Sequence, residues 1–319
     1  AQTVCNMESM STFWLLQLST AAVIFLGLFI GFLLILLIKP PASSKYTAVL
    51  LVAFANLGNL PIMVVQGACS DYGPLKGNQE CPQLPGYAMT CTLSFSILIW
   101  SIAYSLIIKD SEAKLREKAE NYFSSSNDDK ASLMSEAFDQ AVASKKVDIN
   151  LILRNAFLQP IPFFSMLGVA FGSLPGVGSI MFDQESPLRF LANNALTVGF
   201  IGIILVQQNL GYNIRDQFIN YKPIQPKLLI GIAVCKLVMI PVIAQIFINL
   251  AYKAKLISYG FAYVSMISAA SPPGVATMAL SQLLDVGVEF SAVVFLFLYP
   301  LSLLTIPLNS YLFLALNQP

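Results

Sequence analysis

Eight apolar runs follow one another along this chain, and each approaches the roughly 20 residues that a helix needs to cross a bilayer. Lipid offers no hydrogen-bond partner to the backbone, so a span keeps its backbone hydrogen bonds within its own helix. The sequence therefore predicts an all-α integral membrane protein. Its spans are expected at about residues 12–38, 46–68, 85–108, 155–175, 189–208, 228–250, 258–284 and 288–316.

The composition supports this class and narrows the function. The 319 residues are 56% hydrophobic and 11% charged, whereas soluble domains carry about 25% charged residues. The chain contains no histidine, which removes histidine catalysis, histidine metal sites and histidine proton relays. The five cysteines have no metal-ligand spacing. We expect no enzyme activity, no metal and no cofactor. The apolar run beginning at Thr12 is too long for a signal peptide.

Two of the spans are interrupted by proline and glycine. In residues 54–61 of the second span, Pro61 has no N–H and its ring clashes with the carbonyl of Leu57. Residues 271–274 of the seventh span contain Pro272 and Pro273. Irregular backbone at membrane depth is tolerated only inside protein or along a cavity, and paired interruptions indicate a transporter's binding site. The alternative is two proline kinks that serve packing only.

One large polar segment, residues 109–150, carries 16 of the 35 charged side chains. We interpret it as a solvated linker, helical over 111–123 and 130–146 and flexible between them. Lysine and arginine are enriched in cytoplasmic loops. Loops 39–45, 109–154 and 209–227 carry 13 of these residues and the opposite loops carry four. The linker is therefore predicted to be cytosolic, with both termini and loop 69–84 on the other side.

This topology contains an internal symmetry. The second span leaves the cytosol and the seventh enters it. They are five spans apart, which predicts an inverted repeat of five helices with the broken helix fourth in each unit. The first unit contains only spans one to three. We therefore expect a ten-helix fold of which eight spans are present, its first two helices being absent through truncation or divergence.

Six short motifs run from about Trp14 to the C-terminus, and the Gly-Asn-Leu-Pro element of the second span is the most specific. They are Lys39-Pro40-Pro41, Ala55-Asn56-Leu57-Gly58-Asn59-Leu60-Pro61, the loop with Cys69, Gly73-Pro74, Gly77 and Cys81, Ser186-Pro187-Leu188-Arg189, Ser271-Pro272-Pro273-Gly274, and Gln282-Leu283. Together they resemble the auxin efflux carrier family, a membrane transport protein family, and most closely its short-loop PIN-LIKES branch. The chain departs from the family at Ala276, where asparagine is frequent in the family, so the resemblance does not define the substrate contacts at this position.

The resemblance implies two inverted repeats whose broken helices cross at mid-membrane. In the family, a transport domain carries this crossing and a scaffold often forms dimers. Residues 12–108 would then be the incomplete first repeat and 209–319 the rest of the second, both in the transport domain. Residues 151–208 would supply scaffold helices, and 109–150 the linker. A homodimer through the scaffold helices is the assembly this resemblance implies.

The two breaks hold the candidate substrate site. Helix N-termini that open at a break present free N–H groups and partial positive charge, which suits a small anion. Asn59 and Ser271 are predicted to donate hydrogen bonds to a carboxylate. The candidate substrate-binding residues are Asn56, Asn59, Pro61, Ser271, Pro272, Pro273, Lys236 and Gln282.

Charged residues inside the spans are scarce. The predicted span interiors contain no Asp or Glu, which weakens a proton- or sodium-coupled mechanism, because such carriers commonly use an intramembrane carboxylate. Lys236 is the basic residue well inside a span. It either attracts an anion, or caps carbonyls freed at a break, or extends to the cytosolic interface.

These patterns predict a secondary carrier of a small organic anion, auxin-like if the family implication holds, that works by alternating access without covalent chemistry. One alternative is a ligand or lipid sensor with a transporter fold and no net transport. Another is a sodium- or proton-coupled solute symporter. Neither the substrate, the direction nor the driving force follows from the sequence.

Two further hypotheses concern the loop and the compartment. Cys69 and Cys81 flank one short loop on the predicted oxidising side, so we expect a disulfide, with free thiols as the alternative. The short cytosolic linker resembles the endoplasmic-reticulum branch of the family. We therefore expect residence in the endoplasmic reticulum membrane, with the plasma membrane as the alternative.

Overall fold

The computed structural model describes residues 10–70, 73–125, 160–174 and 225–317, with isolated positions between 176 and 215. Across these residues the chain is helical and forms no strand beyond one isolated bridge. The helices are α1 (Met10–Ile38), α2 (Lys45–Ala53), α3 (Asn59–Ala68), α4 (Leu84–Thr90), α5 (Thr92–Leu98), α6 (Tyr104–Ser125), α7 (Pro160–Ser173), α8 (Pro226–Val234), α9 (Ile240–Lys253), α10 (Tyr259–Ala270), α11 (Val275–Leu283) and α12 (Val288–Asn317).

Four stretches of continuous helix in the described part are long and apolar enough to cross a membrane. They are Ser11–Ile38, Leu84–Glu117, Pro226–Lys253 and Val288–Asn317, and they coincide with predicted spans one, three, six and eight. Predicted spans two and seven are each two half-helices, α2 with α3 and α10 with α11. The predicted class, an all-α integral membrane protein, is confirmed at this level. The number of spans and the inverted repeat stay predictions.

Several predicted features lie outside the described residues. Predicted span four is described as α7, Pro160–Ser173, but span five, 189–208, is described only at scattered positions. The linker is described as far as residue 125. There, α6 runs through the helix predicted for 111–123 and confirms it. The second predicted linker helix, 130–146, lies outside the described part.

Two of the long helices contain a turn of π-helix. Ile99–Ala103 lies between α5 and α6, and Cys235–Met239 lies between α8 and α9. A π turn inside an α-helix is frequently found at a functional site, because the wider turn redirects side chains. The second π turn contains Lys236.

Helix α1 packs closely on the half-helix α2 through two glycines one turn apart. A Cβ added at Gly27 would lie 2.6 Å from the Cα of Ala53, and one at Gly31 would lie 3.0 Å from Val49. Small residues at this i, i+4 spacing let membrane helices approach backbone to backbone. This contact places the end of α2 directly against α1.

Candidate functional site

The second span breaks over five residues. Helix α2 ends at Ala53 and α3 begins at Asn59, with Phe54 in an extended conformation between them. Pro61 is the third residue of α3. It therefore lies in the first turn, where the N–H that it lacks would have no partner within the helix. The chain opens on the N-terminal side of the proline, as its chemistry requires.

The seventh span breaks in the same way, and the two breaks pair with each other. Residues 271–274 separate α10 from α11, and Ala55 forms an antiparallel bridge with Pro273. The N–H of Asn56 donates to the carbonyl of Pro272 at 2.7 Å, and the N–H of Gly274 donates to the carbonyl of Phe54 at 2.9 Å. Each break thus satisfies backbone groups of the other. We call this pair of segments, 54–58 and 271–274, the crossover.

Gly274 is needed for this close approach. A Cβ at Gly274 would lie 2.8 Å from the Ala55 carbonyl oxygen and 3.2 Å from the Phe95 ring. Its φ of −71° is open to any residue, so the requirement is space and not conformation. A larger residue would push the two breaks apart.

Tyr299 of α12 ties the crossover together, and sequence reasoning missed it. Its hydroxyl accepts a hydrogen bond from Asn56 Nδ2 at 3.1 Å and donates to the Pro273 carbonyl at 3.1 Å. The Tyr299 ring stacks on Phe295, with ring centroids 5.2 Å apart. The Asn56 side chain is therefore part of a three-residue chain of hydrogen bonds. A polar tyrosine in the middle of the last span was the signal available in the sequence.

Four helix ends converge at the crossover. Helices α2 and α10 end there, and α3 and α11 begin there. The residues that precede α3 and α11 are Gly58 and Gly274, and among the described side chains none caps either N-terminus. Uncapped first-turn N–H groups carry partial positive charge, which favours an anion. The crossover therefore combines the two positive ends of α3 and α11 with the two negative ends of α2 and α10.

The other predicted substrate-binding residues differ in their position relative to the crossover. The Ser271 hydroxyl, fully buried, donates to the Ile267 carbonyl of its own helix at 2.9 Å. Its proton is thus already engaged. Asn59 begins α3 at the crossover, but its side chain lies outside the described part of the structure. Gln282 is at the far end of α11, roughly 12 Å along the helix axis from Gly274, and so does not join the crossover.

Lys236 lies in the π turn between α8 and α9 and is completely buried. Its Nζ has no hydrogen-bond partner among the described residues. The π turn packs against α1, α2, α10 and α12. The hypothesis that the Lys236 side chain extends to the cytosolic interface is wrong, because the described helices enclose it.

The outer end of α2 is held by a carboxylate that the sequence interpretation assigned to the solvated linker. Asp110 of α6 is fully buried. Its Oδ1 accepts from the Tyr46 N–H at 2.9 Å, and its Oδ2 accepts from the Thr47 N–H at 2.6 Å and the Thr47 hydroxyl at 2.7 Å. The first turn of α2 has unsatisfied N–H groups, and a carboxylate there also opposes the positive helix end. Burial of Asp110 follows from this capping role.

The outer end of α10 is held in the same manner. Glu80 Oε2 accepts from the Gly260 N–H at 2.9 Å and from the Ser258 hydroxyl at 2.7 Å. The neighbouring Cys81 is joined to Cys69 by a disulfide, with Cα atoms 5.7 Å apart. The disulfide closes the loop that presents Glu80. Each half-helix that ends at the crossover is therefore capped at its outer end by a carboxylate from another element.

One ion pair connects the start of the linker to the end of the second broken helix. Lys114 Nζ on α6 contacts Asp285 Oδ2 at 3.1 Å and also donates to the Asp285 carbonyl. Asp285 is two residues beyond the end of α11 and has a φ of 52°. Helix α6 thus touches both broken helices, α2 through Asp110 and the end of α11 through Lys114.

A separate cavity of about 520 Å³ lies between α1, α9 and α10 and is almost wholly apolar. Ser265 lines it, but none of the predicted substrate-binding residues does. Among the described residues, no group of three or more His, Cys, Asp or Glu side chains is placed to hold a metal ion.

Comparison with known proteins gives the chain its family. The membrane transport protein family matches residues 2–310. Similar proteins include three from Arabidopsis thaliana. PIN-LIKES 3 is 23% identical over 92% of this chain and 79% of its own length. PIN-LIKES 7 is 22% identical and PIN-LIKES 5 is 25% identical, each over 99% of this chain and 84% of its own length. No solved structure matches the chain.

The match covers nearly the whole chain, including both breaks, and agrees with the resemblance drawn from the motifs. A family of membrane transporters, and not of enzymes, also fits a crossover of uncapped helix ends in a protein of long apolar helices. The chain therefore belongs to the membrane transport protein family, the auxin efflux carriers, and its relatives include the PIN-LIKES proteins.

Proposed function

We propose that this protein is a secondary carrier of a small organic anion, auxin-like in size and charge, and that it works by alternating access at the crossover. The observation that carries the proposal is the pairing of two broken helices, which brings two helix N-termini without a side-chain cap among the described residues to the crossover. Fixed N–H groups in a low-dielectric site attract the negative charge of an anion. No covalent step is needed.

The proposed site comprises the first turns of α3 and α11 and the polar groups beside them. Asn56, Asn59 and Pro61 belong to the first break, and Ser271, Pro272 and Pro273 to the second. Asn59 is the proposed hydrogen-bond donor to the substrate, since the Asn56 amide and the Ser271 hydroxyl already have partners. Lys236 adds a long-range attraction, and Gln282 is a contact only if α11 moves during transport.

The proposed architecture is two inverted repeats. The antiparallel bridge between the breaks supports it, and so does the carboxylate cap on the outer end of each half-helix. In this proposal residues 12–108 and 209–319 form the transport domain, 151–208 supply scaffold helices that can dimerise, and 109–150 form the cytosolic linker.

Equilibrium binding to purified protein tests the site. Asn59→Ala removes a hydrogen bond to a charged group, worth about 1.5–3 kcal/mol, which is on the order of 10- to 150-fold in dissociation constant. Asn59→Ala is expected to weaken binding of both a carboxylate ligand and its neutral amide. Lys236→Ala is expected to weaken binding of the carboxylate and to spare the amide. Pro61→Ala is expected to weaken both by letting the helix re-form.

The matched control is Asn309→Ala, because the Asn309 side chain donates to its own helix, at the Thr305 carbonyl. Normal binding by both Asn59→Ala and Pro61→Ala would remove the crossover as the site. Equal loss of the charged and the neutral ligand in Lys236→Ala would assign Lys236 a structural role.

Transport itself is tested in proteoliposomes. Uptake of the labelled anion without a sodium or proton gradient is the expected result. Binding without uptake would favour the sensor, and uptake that requires one of these gradients would favour the coupled symporter. A fluorescent fusion tests the proposed endoplasmic-reticulum location, and surface fluorescence without a reticular signal would contradict it.

A further inference from the structure

The apolar cavity between α1, α9 and α10 is a groove that opens toward lipid. Its volume is about 520 Å³, and Leu15, Leu18 and Phe247 form an exposed rim. Along α1 the lining runs from Leu15 to Leu26, about 16 Å at 1.5 Å per residue. Half of the roughly 30 Å hydrocarbon core is about 15 Å. The groove therefore has the length of one leaflet, which is too short for a spanning helix and sufficient for an acyl chain.

One buried hydroxyl in the groove has no partner. Two serines line the groove, Ser19 and Ser265. The Ser19 hydroxyl donates to the Leu16 carbonyl of its own helix at 3.0 Å. Ser265 is 5% exposed, and its Oγ has no hydrogen-bond partner among the described residues. Because a buried polar group without a partner is unfavourable, Ser265 offers a donor that a ligand in the groove satisfies.

A second space, which contains basic residues, adjoins the groove at its outer end. It occupies about 510 Å³ at the turn between α9 and α10, and Ile257 lines both spaces. Its other lining residues are Tyr252, Lys253, Lys255, Leu256 and Ser258. Lys253 and Lys255 are exposed, and neither ammonium group is paired with a carboxylate in the described part of the chain.

The charge of this turn stands out on its side of the membrane. Loops on the predicted non-cytosolic side carry four Lys or Arg residues, and Lys253 and Lys255 are two of them, although basic residues are enriched on the cytosolic side. Glu80 is engaged at the adjoining start of α10 by the Gly260 N–H and the Ser258 hydroxyl. The turn thus combines two lysines with one engaged carboxylate. This excess of positive charge favours an anionic group.

We propose that the turn and the groove together bind an anionic phospholipid of the non-cytosolic leaflet, with its phosphate at Lys253 and Lys255 and one acyl chain between α1, α9 and α10. The basic outer end and the apolar lining match the two parts of such a lipid. The lipid joins α1 to α10, the half-helix that ends at the crossover. This lipid site does not depend on what the crossover carries.

Ser265 lies at the depth of the lipid's ester groups. It is six residues beyond Tyr259, the first residue of α10, and therefore about 9 Å along the helix. The headgroup region on each side of a bilayer is about 5–8 Å deep. A phosphate at the turn therefore places an ester carbonyl close to the Ser265 hydroxyl, which donates to it.

The headgroup contact is tested by native mass spectrometry of detergent-purified protein. The probes are phosphatidylglycerol and phosphatidylcholine with the same oleoyl chains, and the anionic lipid is expected to bind more tightly. The double variant Lys253→Gln and Lys255→Gln is expected to weaken phosphatidylglycerol binding on the order of 10- to 30-fold and to leave phosphatidylcholine unchanged. The matched control, Lys39→Gln with Lys227→Gln, removes two exposed lysines near the other membrane face and is expected to change neither.

The acyl chain is tested by filling the groove. Ala22→Phe places a ring in the lining and is expected to weaken phosphatidylglycerol binding on the order of tenfold or more. The control is Val242→Phe, on an exposed part of α9 outside the lining. Ser265→Ala is expected to weaken binding of the diester lipid about two- to tenfold and to spare the ether-linked analogue, which has no carbonyl.

Several outcomes would overturn the lipid site. They are equal binding of the two lipids by the unaltered protein, equal effects of the lysine pair and its control, unchanged phosphatidylglycerol binding in Ala22→Phe, and equal effects of Ser265→Ala on diester and ether lipid. Displacement of the lipid by an equal concentration of glycerol 3-phosphate would show that a free phosphate suffices and would also overturn it.

The exposed lysines make these variants practicable. Where the double variant does not purify, Lys253→Gln and Lys255→Gln are measured singly, each with an expected loss of about fivefold, and no loss in either would overturn the site. Since none of these measurements contains the transported anion, failure of the lipid site and failure of the proposed carrier give different results.

Discussion

The capping of α2 by Asp110 makes a quantitative prediction. Asp110→Ala removes the acceptor of the Tyr46 and Thr47 N–H groups and of the Thr47 hydroxyl. Each buried N–H left without an acceptor costs about 1–3 kcal/mol, and loss of an N-cap alone costs about 0.5–2 kcal/mol. With two N–H groups left without an acceptor, we expect a loss in the free energy of unfolding of about 2–4 kcal/mol.

Asp110→Asn separates charge from hydrogen bonding. The amide keeps one acceptor oxygen but turns an NH₂ group toward a backbone donor and loses the interaction with the helix end. The loss in free energy of unfolding for Asp110→Asn is expected to lie between zero and the loss for Asp110→Ala. The control is Glu117→Gln, which neutralises an exposed carboxylate on the same helix.

The assay is thermal unfolding of the purified protein in detergent, followed by a thiol-reactive or dye fluorescence signal. For a chain of 319 residues, a loss of about 2–4 kcal/mol corresponds to a midpoint lower by roughly 3–6 °C. Glu117→Gln is expected to shift the midpoint by less than about 1 °C. An Asp110→Ala midpoint within about 1 °C of the unaltered protein, no larger than the shift expected for Glu117→Gln, would refute the argument that this carboxylate fixes the outer end of α2.

Two more predictions concern the crossover and the loop. Tyr299→Phe keeps the ring stacked on Phe295 but leaves the Pro273 carbonyl without its donor, so we expect a loss of about 1–3 kcal/mol and a lower unfolding midpoint. The control, Tyr311→Phe, changes an exposed tyrosine and is expected to leave the midpoint unchanged. Equal midpoints for the two variants would contradict the bridging role of Tyr299. Cys69 and Cys81 are expected as one linked peptide pair in non-reduced mass spectrometry, with a loss on the order of 3 kcal/mol on reduction; recovery of the two peptides unlinked would contradict the disulfide.

The chain's local chemistry determined where its helices run and where they break. Apolar runs of sufficient length must be helical in lipid, and the described helices follow the predicted spans one, three, six and eight. Pro61, Pro272 and Pro273 lack an N–H, which favours an interruption there, whereas Pro300 and Pro307 are accommodated inside the continuous helix α12. These are properties of adjacent residues, and the sequence states them directly. The same motifs sufficed to indicate the family.

Partners far apart in the chain were decided by tertiary structure alone. The pairing of Asn56 with Pro272, the Tyr299 bridge and the Asp110 cap join residues separated by 216, 243 and 63 or 64 positions. Asp110 shows why pattern reasoning failed, because its neighbours in sequence are charged while its partners in space are two N–H groups of another helix. The burial of Lys236 is likewise a result of tertiary packing and not of its neighbours in sequence. The sequence specifies the side chain's charge, but its burial depends on the helices that the fold packs around it.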